Sequence, residues 1–175
     1  MAYKIIEARI GLPPITSITS VASAGLINST GVPLGTIVRA EDPTYGLGEF
    51  VYLAGVSSTV VGSLVTYNQL TGATTLSPNT ANLAQPVAVA MAANTSATAL
   101  SWYQIAGAAV IKKTAVKVNP NVVIYQSATT GRVMSTAASG KQVLGARTNN
   151  AATVASATST ITVLIDRPHL QGATT

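Results

Sequence analysis

The sequence has very few charged residues and no cysteine. Charged side chains make up 9% of the 175 residues, whereas about 25% is usual in a soluble globular domain. The absence of cysteine excludes disulfides, thiolate nucleophiles and cysteine-ligated metals. Mixed surface charge normally keeps a free monomer soluble. A surface this poor in charge is therefore typical of a protein whose faces are covered by copies of itself or by a larger assembly.

Acidic residues are missing from a long central segment. None occurs between Glu49 and Asp166, although this segment carries Lys112, Lys113, Lys117, Arg132, Lys141 and Arg147. The chain as a whole has a formal net charge of +5. A long segment with charge of one sign favours contact with an acidic partner surface.

Long apolar runs and aromatic residues are also scarce. The apolar stretches 87–93 and 105–111 are too short to span a bilayer, so we expect no membrane partner. Aromatic residues make up 5% of the chain. A single-strand nucleic-acid binder interleaves aromatic rings with its basic groups, but Lys112, Lys113 and Lys117 stand among Ile, Thr, Ala and Val. No nucleic-acid partner is expected, although a basic nucleic-acid-binding β-barrel stays open as an alternative.

Residues for catalysis are few and scattered. The chain has five carboxylates and one histidine. Glu49 and Asp166 could form a glycosidase-type pair, and His169 with Asp166 could serve a serine nucleophile, but the sequence has no Gly-x-Ser-x-Gly turn. No metal-ligand cluster or phosphate-binding glycine loop is present. The sequence predicts a protein that is not an enzyme and holds no cofactor.

Short β-prone runs separated by Gly, Asn, Pro and Ser fill most of the chain. Residues 160–165 show the alternation of a half-buried strand. We predict strands at 36–39, 49–53, 63–67, 74–76, 87–91, 101–105, 109–112, 122–125, 132–134, 143–147 and 160–165. The pattern predicts an all-β fold, with a single β-barrel or β-sandwich domain over residues 36–175.

A weak internal repeat divides this domain into two halves. Tyr67 followed by Gly72 resembles Tyr125 followed by Gly131. Each pair is followed by an apolar strand (87–91 or 143–147), a polar loop, and a last strand. The sequence therefore predicts two pseudo-repeated halves, each a β-hairpin with a returning strand.

Residues 1–35 differ from the rest of the chain. Pro13 and Pro14 interrupt any regular element. We expect residues 1–35 to form an extended N-terminal arm and a first strand, with residues 1–14 lying across a neighbouring subunit.

Several segments resemble the tailed-phage head decoration proteins, also called capsid cement proteins. These are Gly-Glu-Phe-Val-Tyr-Leu-Ala-Gly-Val (48–56), Gly62 with Val-Thr-Tyr (65–67), Pro-Val-Ala-Val-Ala-Met-Ala-Ala-Asn (86–94), Trp-Tyr-Gln-Ile-Ala-Gly (102–107) and Ile-Asp-Arg-Pro (165–168). The resemblance covers residues 46–168. It implies a structural protein on the outer surface of the virion capsid that binds the major capsid protein and stabilises contacts between capsomers. It also implies self-association, with a homotrimer favoured and a homodimer possible.

We predict two groups of capsid-contact residues, one from the arm and one from the acid-free segment: Tyr3, Lys4, Ile5 and Arg9, and Lys112, Lys113, Lys117 and Arg132. The other function left open is a fibre- or spike-associated adhesin domain that binds host glycans. That function requires exposed aromatic side chains in a groove, and the chain has one Trp, six Tyr and one Phe.

Overall fold

The computed structural model describes residues 1–7, 11–20 and 31–173. In this part of the chain all regular structure is β, and no helix could cross a membrane. The strands are β1 Lys4–Ile5, β2 Ile18–Ser20, β3 Ile37–Asp42, β4 Gly46–Ala54, β5 Leu64–Tyr67, β6 Thr74–Leu76, β7 Val87–Ala90, β8 Ala99–Lys112, β9 Val123–Gln126, β10 Val133–Met134, β11 Gln142–Thr148 and β12 Thr160–Leu170. The all-β prediction is confirmed.

The long strand β8 organises one antiparallel sheet. The sheet runs in the order β1-β3-β4-β8-β12-β11-β9-β10. On one side of β8 lies β4, and on the other side β2, β7 and β12 pair with successive parts of it. Among the described strands, β1 and β10 at the two ends of this order do not pair with each other. The sheet is therefore not a closed barrel.

The two predicted halves share one strand arrangement. In the first half β5 lies between β6 and β7, and β7 pairs with β8. In the second half β9 lies between β10 and β11, and β11 pairs with β12. Strands 5–8 and 9–12 thus repeat the same hairpin-and-return connectivity.

Alternating side chains build core on both faces of the central strands. Phe50 and Tyr52 of β4 pack with Trp102 of β8 in one cluster. Their neighbours on β4 and β8 point the other way and pack in a second cluster with Ala88 and Ala90 of β7, because successive strand residues face opposite sides. A third cluster fills the space between β7, β8 and β9–β12. The β4–β8 pair is the buried middle layer of the domain.

The described part of the N-terminal arm folds onto its own domain, so the prediction that it crosses a neighbouring subunit is wrong in this structure. Strand β1 pairs with β3, through Lys4 opposite Glu41 and Ile5 opposite Ala40. Ile15 is 1% exposed, and the indole Nε1 of Trp102 donates a hydrogen bond to the Pro13 carbonyl at 3.0 Å. Apolar burial and strand pairing hold the arm in place.

Candidate functional site

Lys112, Lys117 and Arg132 lie together at one end of the domain, which we call the basic end. Lys112 is the last residue of β8 and pairs with Thr160. Arg132 directly precedes β10, and its Nη1 donates to the Lys113 carbonyl at 3.4 Å. The Ser135 hydroxyl donates to the Lys117 carbonyl at 3.0 Å. These bonds hold the segment after β8 against β10.

No acidic counter-charge lies at the basic end among residues 1–7, 11–20 and 31–173. Lys117 and Arg132 are exposed and Lys112 is partly exposed, and none of the three has an ion pair among the described residues. The described ion pairs instead join Glu49 to Arg39 at 3.3 Å and to Arg167 at 2.5 Å. The basic end therefore presents uncompensated positive charge at the surface.

The described carboxylates that flank β8 lie well away from the basic end. Ala106 of β8 pairs with Glu49 on one side and with Asp166 on the other. Lys112 lies six residues further along the same strand, and at the rise of a β-strand this separation is about 20 Å. The Glu49 carboxylate is also occupied by two guanidinium groups. The domain is thus electrically polarised along β8.

Lys113 is not part of an exposed basic face, and its assignment as a contact residue is corrected. It is 1% exposed. Its Nζ donates to the carbonyls of Val116 at 2.7 Å and of Thr114 and Ser156 at 3.2 Å. Burial lowers the pKa of the Lys113 amine, since removal from water disfavours the charged form. Lys113 ties the loops at this end together from inside.

The predicted arm contacts have different positions in the structure. Tyr3 is buried, its ring lies 4.8 Å edge-on from that of Phe50, and its hydroxyl donates to the Ala108 carbonyl at 3.0 Å. Burial raises the pKa of Tyr3 to about 12. Tyr3 is therefore a core residue and not an accessible contact. Lys4 is exposed and Ile5 partly buried, and Arg9 lies outside the described residues.

A polar cleft of about 750 Å³ lies at the other end of the domain. Its walls are the β5–β6 hairpin, the segment before β7, Ile105 of β8, and residues 167–169 of β12. Of the fourteen lining residues, Arg167 and His169 are basic, five are apolar, and seven are neutral and polar: Thr66, Tyr67, Asn68, Gln69, Thr71, Thr75 and Gln85. Sequence reasoning missed this cleft because its walls come from segments far apart in the chain and share no local motif.

Comparisons with known proteins add no family or structural relative to this geometry. No protein-family model, curated protein or solved structure matches the chain.

Proposed function

We propose that this protein is a structural capsid decoration protein that binds the outer surface of a phage head and stabilises contacts between capsomers. The observation that carries the proposal is the basic end, where Lys112, Lys117 and Arg132 have no carboxylate partner among the described residues. Uncompensated charge of one sign suits attachment to an extended acidic surface. The resemblance of residues 46–168 to capsid cement proteins supplies the identity of that surface, the major capsid protein.

The composition and the fold support a structural role. Low overall charge fits a protein that works inside an assembly, and a two-sided core around β4 and β8 gives a rigid body that can bridge neighbours. Attachment by weak ion pairs becomes strong when several copies bind at once. In this proposal the protein catalyses no reaction, needs no cofactor, and contacts neither nucleic acid nor membrane.

Self-association is part of the proposal, with a homotrimer favoured over a homodimer. Besides the low charge, an exposed apolar patch supports it. Ile18, Val60 and Val61 are 46–49% exposed, and a small pocket beside them is lined by Met1, Met91 and other apolar atoms. Burying such a patch between copies is favourable. Light scattering of the purified protein measures this directly, and a strictly monomeric protein that also stays monomeric on capsids would contradict it.

The attachment test changes the basic end without touching the core. We expect the double variant Lys117→Gln/Arg132→Gln to lower capsid affinity about fivefold per bound copy, because exposed ion pairs contribute up to about 1 kcal/mol each. The loss should shrink as salt rises, since exposed charges are screened over about 8 Å at physiological ionic strength. The measurement is occupancy of undecorated heads against protein concentration.

A matched control distinguishes the loss of charge at the basic end from an equal loss of net charge elsewhere on the protein. Lys141→Gln/Arg147→Gln removes the same charge from positions outside the basic end, and we expect it to bind like the wild type. Equal losses in the two double variants, or salt-independent binding, would place the attachment elsewhere. Tight binding of the wild type to free single-stranded DNA under the same conditions would favour the nucleic-acid alternative instead.

A further inference from the structure

The polar cleft has the construction of a ligand site that capsid attachment does not use. Its volume of about 750 Å³ falls within the 300–1,000 Å³ usual for small-ligand sites. The Tyr67 ring is half-buried in its wall and provides a flat apolar surface. The amides of Gln69 and Gln85 and the hydroxyl of Thr71 line the same space. A flat ring among neutral hydrogen-bonding groups suits a molecule that is both hydroxylated and apolar on its faces.

Arg167 supplies a fixed positive charge at the cleft. Its Nη2 is held at 2.5 Å by Glu49, while 56% of its side chain is exposed. The remaining guanidinium nitrogens make no hydrogen bond to the described residues. The residues that line the cleft include Arg167 and His169 but no Asp or Glu. A guanidinium positioned in this way is suited to a planar carboxylate.

We propose that the cleft binds a carbohydrate that carries a carboxylate group, such as an oligosaccharide of uronic or sialic acid. Tyr67 packs against a sugar ring, the neighbouring amides and hydroxyl bond its hydroxyl groups, and Arg167 pairs with its carboxylate. The apolar part of the lining can pack against the apolar faces of a sugar ring: Ala73, Ala84, Pro86, Ile105 and Pro168.

The cleft and the basic end lie at opposite ends of two strands. On β12, Thr160 pairs with Lys112, while residues 167–169 line the cleft, which is seven residues or about 23 Å further along. At the base of the β5–β6 hairpin, the Leu64 amide donates a hydrogen bond to the carbonyl of Gly131, the residue before Arg132. Residues 67–69 and 71, near the tip of the same hairpin, line the cleft. A molecule attached by its basic end leaves the cleft open to solution.

The test is an NMR titration of the isolated protein with trigalacturonate and with sialyllactose. Each has a neutral partner: the methyl ester of trigalacturonate, and lactose. We expect at least one acidic saccharide to shift the amide signals of residues 67–71 and 85, and its neutral partner to bind at least about tenfold more weakly. The variant Arg167→Gln should lose the same factor, whereas Arg147→Gln, an equal charge change on β11, should not.

Further readouts keep the proposal falsifiable if Arg167→Gln fails to fold. Gln85→Ala leaves the Glu49 ion pair intact and should weaken the acidic saccharide severalfold. The absence of cleft shifts with both acidic saccharides at millimolar concentration would overturn the proposal. Equal binding of the neutral partners, or of a glutamate-rich peptide, would overturn it as well. These titrations need no capsid, so their failure is distinct from a failure of the attachment proposal.

Discussion

Two consecutive lysines show how strand geometry decides what a residue can do. Lys112 and Lys113 are identical in chemistry, yet Lys112 is partly exposed and Lys113 is buried. Because side chains alternate between the faces of a strand, neighbours at the end of β8 must point in opposite directions. The period-two alternation of a strand already implies that only one of two consecutive lysines is exposed. The prediction that both are contact residues did not use this alternation.

Replacing Lys113 by methionine tests its internal role. Lys113→Met removes the donor that three backbone carbonyls share, and we expect it to destabilise the fold by about 2 kcal/mol at neutral pH. The pKa of Lys113 is lowered in the folded state, so its charged form stabilises the fold less than its neutral form does. This deficit is complete below the folded pKa and disappears as pH rises toward the ordinary value of 10.5.

The stability difference between wild type and Lys113→Met should therefore grow with pH in the alkaline range below 10.5. Urea unfolding of both proteins at several pH values measures it. Lys112→Met is the control on the adjacent exposed position and should change stability little. A Lys113→Met protein as stable as the wild type would contradict the internal role.

Asp42 anchors the N-terminal arm through its charge. Its buried carboxylate accepts hydrogen bonds from the backbone amides of Ala2, Thr44 and Tyr45. Burial acts to raise the pKa of Asp42, but these bonds and the nearby N-terminal amine outweigh burial and hold it below 3.8. The stability that Asp42 contributes is therefore present above pH 3.8 and lost as pH falls through the lower, folded pKa.

We expect Asp42→Asn to cost about 1–2 kcal/mol at neutral pH and to increase hydrogen exchange in β1. In the wild type the same increase should occur only in strong acid. Hydrogen exchange with mass spectrometry of the N-terminal peptide gives both results. Asp166→Asn, which changes an exposed carboxylate on β12, should leave the exchange unchanged, and equal effects at the two positions would refute a specific anchor.

At the scale of elements, the positions of most strands were predictable from the sequence. The merging of two predicted runs into one strand was not. The prediction of 74–76 matches β6, and the other predicted runs all fall on observed strands. Runs 101–105 and 109–112 are parts of the single strand β8, which continues through Gly107. One strand was predicted within residues 1–35, without bounds, and the described part of this segment contains two short strands, β1 and β2, which their pairing partners β3 and β8 define.

The candidate site was less predictable than the fold. The basic character of the acid-free segment is visible in sequence, but exposure depends on which face each strand buries. The cleft depends on four chain segments brought together by long-range pairing, such as the bridge between Pro86 and His169. No local pattern encodes an arrangement of that kind.

Gly107 allows β8 to pass close to β4. Its φ is 96°, and an added Cβ would lie 2.4 Å from the Leu47 carbonyl oxygen. We expect Gly107→Ala to destabilise the fold by about 3 kcal/mol or more, since backbone must move to make room. Gly35 also has a positive φ, 80°, but open space around it, so Gly35→Ala should cost only about 1 kcal/mol. Equal decreases in Tm for the two variants would contradict the effect of the close approach and would show that only the positive φ matters.

At the scale of the whole molecule, charge is segregated. The described ion pairs gather on Glu49, and Lys112, which has no ion pair among the described residues, lies about 20 Å away along β8. Such an arrangement orients a protein as it approaches an acidic surface. In the proposed attachment, the basic end therefore fixes which end of the molecule faces outward.

Cryo-electron microscopy of decorated phage heads is the most direct test of this account. We predict density for the protein on the outside of the shell, with Lys112, Lys117 and Arg132 facing the capsid and the cleft around Tyr67 and Arg167 facing solution. Density attached through the cleft end, or heads that bind no protein at low salt, would contradict it.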